Sequence, residues 1–436
     1  MFVGTQRVNA RGHLEIGGCD AVELAREFGT PLYVLDEELL REACRAYKQS
    51  FGRRLKEVEI CYAGKALLTT AICRIVEQED LGLDVASAGE LYTALQAGFP
   101  MSRVKLHGNF KSDLEIRMAL EAGVGRIVID SLSEINRLAA AAEAFGRQVE
   151  VLIRVTPGIK VQTHSYIATG HLDTKFGLSM ASSAAMEAVA RCLASPSLVL
   201  KGIHCHIGSQ IFGLDSFARA TELMVEFMAS VRDAHGVELP ELDMGGGLGI
   251  AYTSEDTPPT TDELAEVIAE ALLTSTAAQG LGVPRLILEP GRSIVGPAGV
   301  TLYTVGPVKE IPGVRTYVAV DGGLSDNPRP ALYGAEYEAI VANKANLPRT
   351  MPVRVAGKHC ETDTLIPEIA LQAVEEGDVL AVFCTGAYNY AMASNYNRFP
   401  RPAMVLVRDG KADVIVEREG LEDLVRHDRI PARLAR

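Results

Sequence analysis

The chain has 436 residues, 47% of them hydrophobic and 23% charged, which is enough for about two or three globular domains with an ample core. Its formal charge of −13, with lysines and arginines scattered along the chain, excludes nucleic acid as an expected partner. No apolar run approaches the roughly 18 residues of a membrane span, and the start MFVGTQRVNARG lacks a signal-peptide core, so no membrane partner and a cytoplasmic location are expected.

From residue 58 to 290 one pattern recurs, a short β-rich run followed by a polar or glycine-containing end and an amphipathic helical stretch. The runs are VEICYA (58–63), LGLDVAS (81–87), RVKLHG (103–108), RIVID (126–130), VEVLIRV (149–155), LKGIHCHIG (200–208), LPELDMGG (239–246) and RLILEP (285–290). Strands alternating with helices predict parallel βα units, and eight units in this length fit a (β/α)8 barrel. Beyond residue 290 the pattern changes to β-branched runs separated by turn signals, among them RTYVAVDGG, TMPVRVAGK and DVLAVFCTG. These predict a mainly antiparallel β-domain, which PLYVLDEELL at 31–40 is placed to join. The expected division is an N-terminal segment 1–38 joining the β-domain, a barrel over 39–290 and a C-terminal β-domain over 291–436. The eight cysteines lie far apart with no C-x-x-C pair, so neither a disulfide framework nor a metal site is expected.

A barrel of this kind works at the C-terminal ends of its strands. Those ends carry Lys65; Asp84 and Ser87; His107; Arg154; His206, Gly208 and Ser209; Gly245, Gly246 and Gly247; and Glu289, Gly291 and Arg292. Polar and glycine residues at nearly every strand end suit a site that binds phosphate and moves protons. Lys65 follows a buried-looking strand, where a desolvated lysine has a depressed pKa and forms a Schiff base. His204 and His206 share a strand face by their spacing, with no third ligand at metal-binding distance in the sequence, so ring stacking or core packing is favoured over metal. Glu289 is placed to keep a pyridinium nitrogen protonated, or else pairs with Arg292 at the surface. Cys360, between His359 and Glu361 after a strand, reads either as filler or as a thiol in a setting that lets it exchange protons.

Taken together, YAGK, LDVASAGELY, HGNFK, RVTPG, TKFGL, GIHCHIGSQ, DMGGGLGI, EPGRS, RPALYG, HCE and TGAYNYAMASNYN occur in one order. This arrangement closely resembles the diaminopimelate decarboxylases, members of the alanine-racemase-like (fold type III) pyridoxal 5'-phosphate (PLP) enzymes. The resemblance covers nearly the whole chain. It implies a homodimer with sites shared between subunits and decarboxylation of meso-2,6-diaminopimelate to L-lysine. It also implies Lys65 as the Schiff-base lysine, His206 stacked on the cofactor ring and Glu289 at the pyridine nitrogen. Ser209, Gly246, Gly291 and Arg292 approach the phosphate, and Asp84 joins the cofactor-binding set. Arg292, Arg329 and Tyr333 are implied for the substrate's far carboxylate, Cys360 as proton donor and Glu361 as an amine contact, these last two from the partner subunit. Tyr388 touches cofactor and substrate. One departure stands beside the substrate: the family follows Cys-Glu with Ser-Gly-Asp, whereas Glu361 is followed by Thr362-Asp363. The rival readings are a sister decarboxylase acting on ornithine, arginine or carboxynorspermidine, a racemase on the same fold, and a non-catalytic homologue.

Overall fold

In the computed structural model, which describes residues 2–159 and 174–435, the chain forms two compact units. One comprises Met1–Leu40, Tyr252–Glu255 and Gly296–Arg436; the other comprises Arg41–Ala251 and Asp256–Val295.

The second unit is the predicted barrel, and each of the eight runs is one of its strands. They are β1 (Val58–Ala63), β2 (Gly82–Val85), β3 (Val104–Leu106), β4 (Arg126–Ile129), β5 (Val149–Thr156), β6 (Leu198–His204), β7 (Glu241–Asp243) and β8 (Arg285–Leu288). All neighbours run parallel in sequence order, and the ring closes where β8 pairs with β1, Leu288 opposite Ile60. The hand-off from strand to helix is written locally. Ser87 caps the helix Ala88–Gln96 by accepting from the Glu90 N–H, and Ser112 with Glu115 and Thr260 with Glu263 form full capping boxes. Such caps contribute about 1 kcal/mol each and fix where the chain stops being loop.

Side chains alternate across each strand, so every second residue fills the barrel axis in layers. At the N-terminal end the layer is ionic: Lys105 pairs with Glu59, and Arg126 grips Glu241 through Nη2 and Nε at 2.6 and 2.9 Å. The middle layer is apolar, formed by Cys61, Val128, Leu152 and Ile287. The C-terminal layer is again polar, with Asp84, His107, His204 and Glu289 all buried. The apolar layer separates a floor of paired charges from the acid–base groups above it.

In the first unit the long strand Gly299–Ile311 runs antiparallel to Leu32–Asp36, Arg315–Val320 and Val379–Phe383. Leu32–Asp36, from the predicted N-terminal segment, lies between Gly299–Ile311 and Ala403–Arg408. Its core includes Leu14, Ile16, Leu32, Val34, Val300 and Val405. The unit is mainly antiparallel, as expected, with two parallel pairings among the described residues: Leu32–Asp36 beside Ala403–Arg408, and Arg315–Val320 beside Met351–Ala356.

One buried acid of this unit has a testable consequence for stability. Asp326 accepts from the Tyr303 hydroxyl at 2.5 Å and from the Gly323 N–H at 2.8 Å, and burial pushes its carboxyl up to about 7 from the ordinary 3.8. The folded chain therefore holds this proton longer than the unfolded chain. The associated stability is fully present below 3.8 and is lost as pH rises through about 7. Asp326→Asn removes the titration. Between pH 5 and pH 8 its unfolding free energy should gain on that of the wild type by about 3 kcal/mol. Urea unfolding at the two pH values reads this directly, and a constant difference between the proteins would show that Asp326 does not titrate in that window.

Candidate active site

The C-terminal end of the barrel gathers titratable groups that cannot all be charged. Glu289, just past β8, is 5% exposed. Its Oε2 accepts from His204 Nε2 at 3.1 Å, and His107 Nε2 stands 2.7 Å from Oε1. The two imidazoles meet edge to face at 4.9 Å. Burial works against the Glu289 charge, but His107 and His204 outweigh it and hold the carboxyl well below its usual range. Burial pushes His204 down to about 3, so it donates to Glu289 as a neutral ring. Beside them burial, reinforced by the Glu289 charge, pushes Asp243 well up, leaving the proton on Asp243 and the charge on Glu289. Burial likewise raises Asp84, whose Oδ1 is 3.5 Å from His107 Nε2.

His204 ends β6, so the strand alternation that groups it with His206 in the sequence does not extend to His206. Instead His206 Nδ1 accepts from the Gly246 N–H at 3.4 Å, and burial, aided by the Lys65 charge, lowers it well below the ordinary range. The sequence offered no third ligand beside His204. The barrel supplies two from other strands, His107 and Glu289, with ligand atoms within 4.8 Å of one another. Because the imidazole nitrogens face the carboxylate, the trio works as a clamp on Glu289.

Around this floor the ends of β6, β7 and β8 crowd together. A Cβ on Gly246 would lie 2.3 Å from the Glu289 carbonyl oxygen, and one on Gly245, at φ +63°, would lie 2.6 Å from that of Cys205. No side chain fits at either place, so main chain lines the cradle. Next to it Arg292, 7% exposed, donates from Nη2 to Ser209 Oγ at 3.1 Å. Gly291 packs against Ala63 at the end of β1. The alternative of a surface Glu289–Arg292 pair is therefore set aside: both are buried and each has other partners.

Lys65 differs from expectation in one respect. β1 ends at Ala63, and Lys65 falls in the following 3-10 turn, Gly64–Ala66, which carries it beyond the buried strand; the side chain is exposed rather than desolvated. Its charge is nonetheless felt by Asp84, Glu90 and His206. The barrel thus brings together Lys65, Asp84, His206, Ser209, Gly246, Glu289, Gly291 and Arg292 of the predicted set. These residues fit PLP. Glu289 is a buried anion whose Oε1, 2.7 Å from His107 Nε2, keeps a second lone pair suited to a protonated ring nitrogen, and the glycine cradle with Ser209 and Arg292 suits a phosphate.

The other unit carries Arg329, Tyr333, Cys360, Glu361 and Tyr388. Arg329 and Tyr333 open and close the short helix Arg329–Tyr333. Arg329, 7% exposed, donates to the Tyr337 hydroxyl at 2.6 Å and lies over the Tyr252 ring at 4.7 Å. Tyr388 adopts a left-handed backbone, φ +62°, which is uncommon for a bulky residue. Cys360 and Glu361 are exposed in the loop after Met351–Ala356. Sequence reasoning placed His107 at a strand end without giving it a role, and it passed over the side chains of Asp243, Tyr252 and Tyr337.

A family model described as pyridoxal-dependent decarboxylase, pyridoxal binding domain, matches residues 37–296. The chain is 49% identical over 430 residues to a diaminopimelate decarboxylase of Bacillus subtilis (strain 168), covering 98% of each. It is 45% identical to one of Synechocystis sp., covering 99% of this chain and 93% of that one. A crystal structure of the M. jannaschii diaminopimelate decarboxylase in co-complex with L-lysine superposes with a TM-score of 0.93 at 37% identity, covering 99% of both chains.

Proposed function

Given that this chain belongs to the pyridoxal-dependent decarboxylases and, within them, to the diaminopimelate decarboxylases, we infer that Lys65 and Glu289 hold its cofactor and that Arg329 reads its substrate. The protein is a carboxy-lyase that uses PLP and converts meso-2,6-diaminopimelate to L-lysine and CO2, the last step of lysine biosynthesis. When bound, PLP supplies the electron sink that accepts the electron pair left by the departing carboxylate.

The chain's own groups do the rest. Lys65 would hold PLP through its side-chain amine. Glu289, kept an anion by His107 and His204, would face the ring nitrogen. His206 would lie against the ring, Asp84 would flank the site, and Ser209, Gly246, Gly291 and Arg292 would hold the phosphate. Cys360 returns a proton to the former α-carbon, Glu361 takes a substrate amine, and Tyr388 touches cofactor and substrate. Cys360 and Glu361 serve the site of a second copy in a homodimer, a reading supported by their exposure on the single chain. No described helix is long and apolar enough to cross a membrane, and the scattered, net acidic charge suits a cytoplasmic enzyme.

Arg329 carries the substrate assignment. It is a buried guanidinium that forms no ion pair with a carboxylate among the described residues, held instead by Tyr337 and the Tyr252 ring. A buried cation of this kind gains from a carboxylate and repels a second ammonium. Arg292 and Tyr333 join it in that reading. The test is lysine and CO2 release by PLP-loaded protein given meso-diaminopimelate, with ornithine, arginine and carboxynorspermidine in parallel. Lysine from diaminopimelate alone is expected, and Arg329→Met should raise KM for it by on the order of 10²-fold. Faster turnover of any basic-tailed substrate would overturn the Arg329 reading and point to Thr362-Asp363.

A further inference from the structure

We propose that Tyr396 and Asn397 form a clamp that positions the Cys360–Glu361 loop, Tyr396 through the carboxylate of Glu361 and Asn397 through the main chain of Cys360. The proposal rests on the roles given above to Cys360 and Glu361, and divides their support between two adjacent residues. Tyr396 donates its hydroxyl to Glu361 Oε1 at 2.5 Å, and Asn397 Oδ1 accepts from the Cys360 N–H at 3.0 Å. The bond to Glu361 raises the phenol above its ordinary value, which keeps it a donor at working pH.

The base of the loop is fixed independently of the clamp. His359 Nδ1 donates to Asp363 Oδ2 at 2.5 Å, while its Nε2 accepts from the Ser325 N–H at 3.2 Å. Asp363 also accepts from the Leu324 N–H at 3.0 Å and nests between Gly323 and Gly357, where an added Cβ would come within 2.1 and 2.0 Å of its Oδ2. The residue beside the shortened segment is therefore consumed in anchoring the loop. The His359 ring in turn stacks on Tyr396, with centroids 6.0 Å apart and planes at 18°, and meets Phe399 edge-on at 4.9 Å. With its ends pinned by His359 and Asp363, the turn of the loop that carries Cys360 and Glu361 is held from outside by Tyr396 and Asn397.

Backbone strain at the clamp supports the same conclusion. Asn397 and the following Arg398 both lie in the left-handed region, at φ +52° and +61°. Two consecutive non-glycine residues there cost free energy that two glycines would avoid. Glycine at 397 would lose the Oδ1 that holds Cys360, and Arg398 is retained by bonds to the Leu424 carbonyl at 2.6 Å and Asp428 at 2.5 Å. Chemically, Tyr396 occupies Glu361 Oε1 and leaves Oε2 for a substrate ammonium, whereas Asn397 fixes the main chain from which the Cys360 thiol delivers its proton. Both are positioning residues, and neither needs to touch substrate.

The two halves of the clamp predict different kinetic losses. Tyr396→Phe keeps the ring on His359 and removes only the hydroxyl. It should raise KM for diaminopimelate about tenfold with kcat within about twofold of wild type. Asn397→Ala should lower kcat about tenfold with little change in KM, and Asn397→Asp, which keeps the acceptor, should recover most of it. Alkylation of Cys360 by iodoacetamide, followed by peptide mass, gives a readout apart from turnover: its rate should change severalfold in Asn397→Ala and stay unchanged in Tyr396→Phe. Glu361→Gln and Cys360→Ala serve as references. If both are impaired while Tyr396→Phe and Asn397→Ala behave as wild type, the clamp is wrong and the site reading stands. If the references themselves turn over normally, the site reading fails and takes the clamp with it. Parallel losses in kcat and KM for both clamp variants, unrelieved in Asn397→Asp, would reveal general loosening and also overturn the proposal.

Discussion

Replacing Lys65 by alanine should reduce turnover by on the order of 10³-fold or more and remove the visible absorbance that a covalently held cofactor gives the protein. The expectation follows from where the residue lies. The turn Gly64–Ala66 lifts Lys65 off the end of β1 into the fields of Asp84, Glu90 and His206, so one amine serves a ring of groups already built around it. Because the side chain is exposed, truncation leaves no cavity, and stability should stay within about 0.5 kcal/mol of wild type. A thermal melt therefore separates lost chemistry from lost fold. The cradle formed by Gly246, Ser209 and Arg292 is untouched by the substitution, so the variant should still bind PLP non-covalently, and a small primary amine added in solution should restore part of the turnover. Retention of both turnover and the absorbance would assign the covalent role to another lysine.

The βα alternation, the eight strand positions and the chemistry gathered at their C-terminal ends were legible in the sequence because each depends on local periodicity and on residue type at a strand end. What escaped depends on contacts distant in sequence. His107 stands at the end of β3, but nothing local indicates that it faces a carboxylate following β8. Tyr252, which supports Arg329, comes from a short stretch, Tyr252–Glu255, that leaves the barrel chain to join the other unit, with no composition shift to announce it. The two parallel pairings in the β-unit join strands far apart in sequence, where turn signals do not report direction. The expected desolvation of Lys65 failed for a simpler reason: a single 3-10 turn separates it from its strand, and periodicity does not resolve a boundary that fine. Left-handed backbone at Tyr388 and Asn397 is likewise invisible in a sequence that places no glycine there.

Glu289→Gln is the substitution that most directly tests the floor of the site. Glutamine fills the same space but carries no charge, so the ring nitrogen loses its counter-anion, and kcat should fall by on the order of 10²–10³-fold. The size of the loss alone does not distinguish a fixed anion from a titrating acid or base; the pH profile does. His107 and His204 outweigh burial and hold Glu289 well below its ordinary range, while burial takes His204 down to about 3. Neither group changes charge between about pH 5 and 9. Any acid limb of the wild-type profile in that range must come from elsewhere, and Glu289→Gln should lower the whole profile without moving its limbs. Glu289→Asp keeps the charge but shortens the reach needed to meet both His204 at 3.1 Å and His107 at 2.7 Å, so its loss should be intermediate. A variant profile that loses a limb would mean that Glu289 exchanges protons during turnover, and the clamp of two imidazoles would then have to be understood as a proton relay instead.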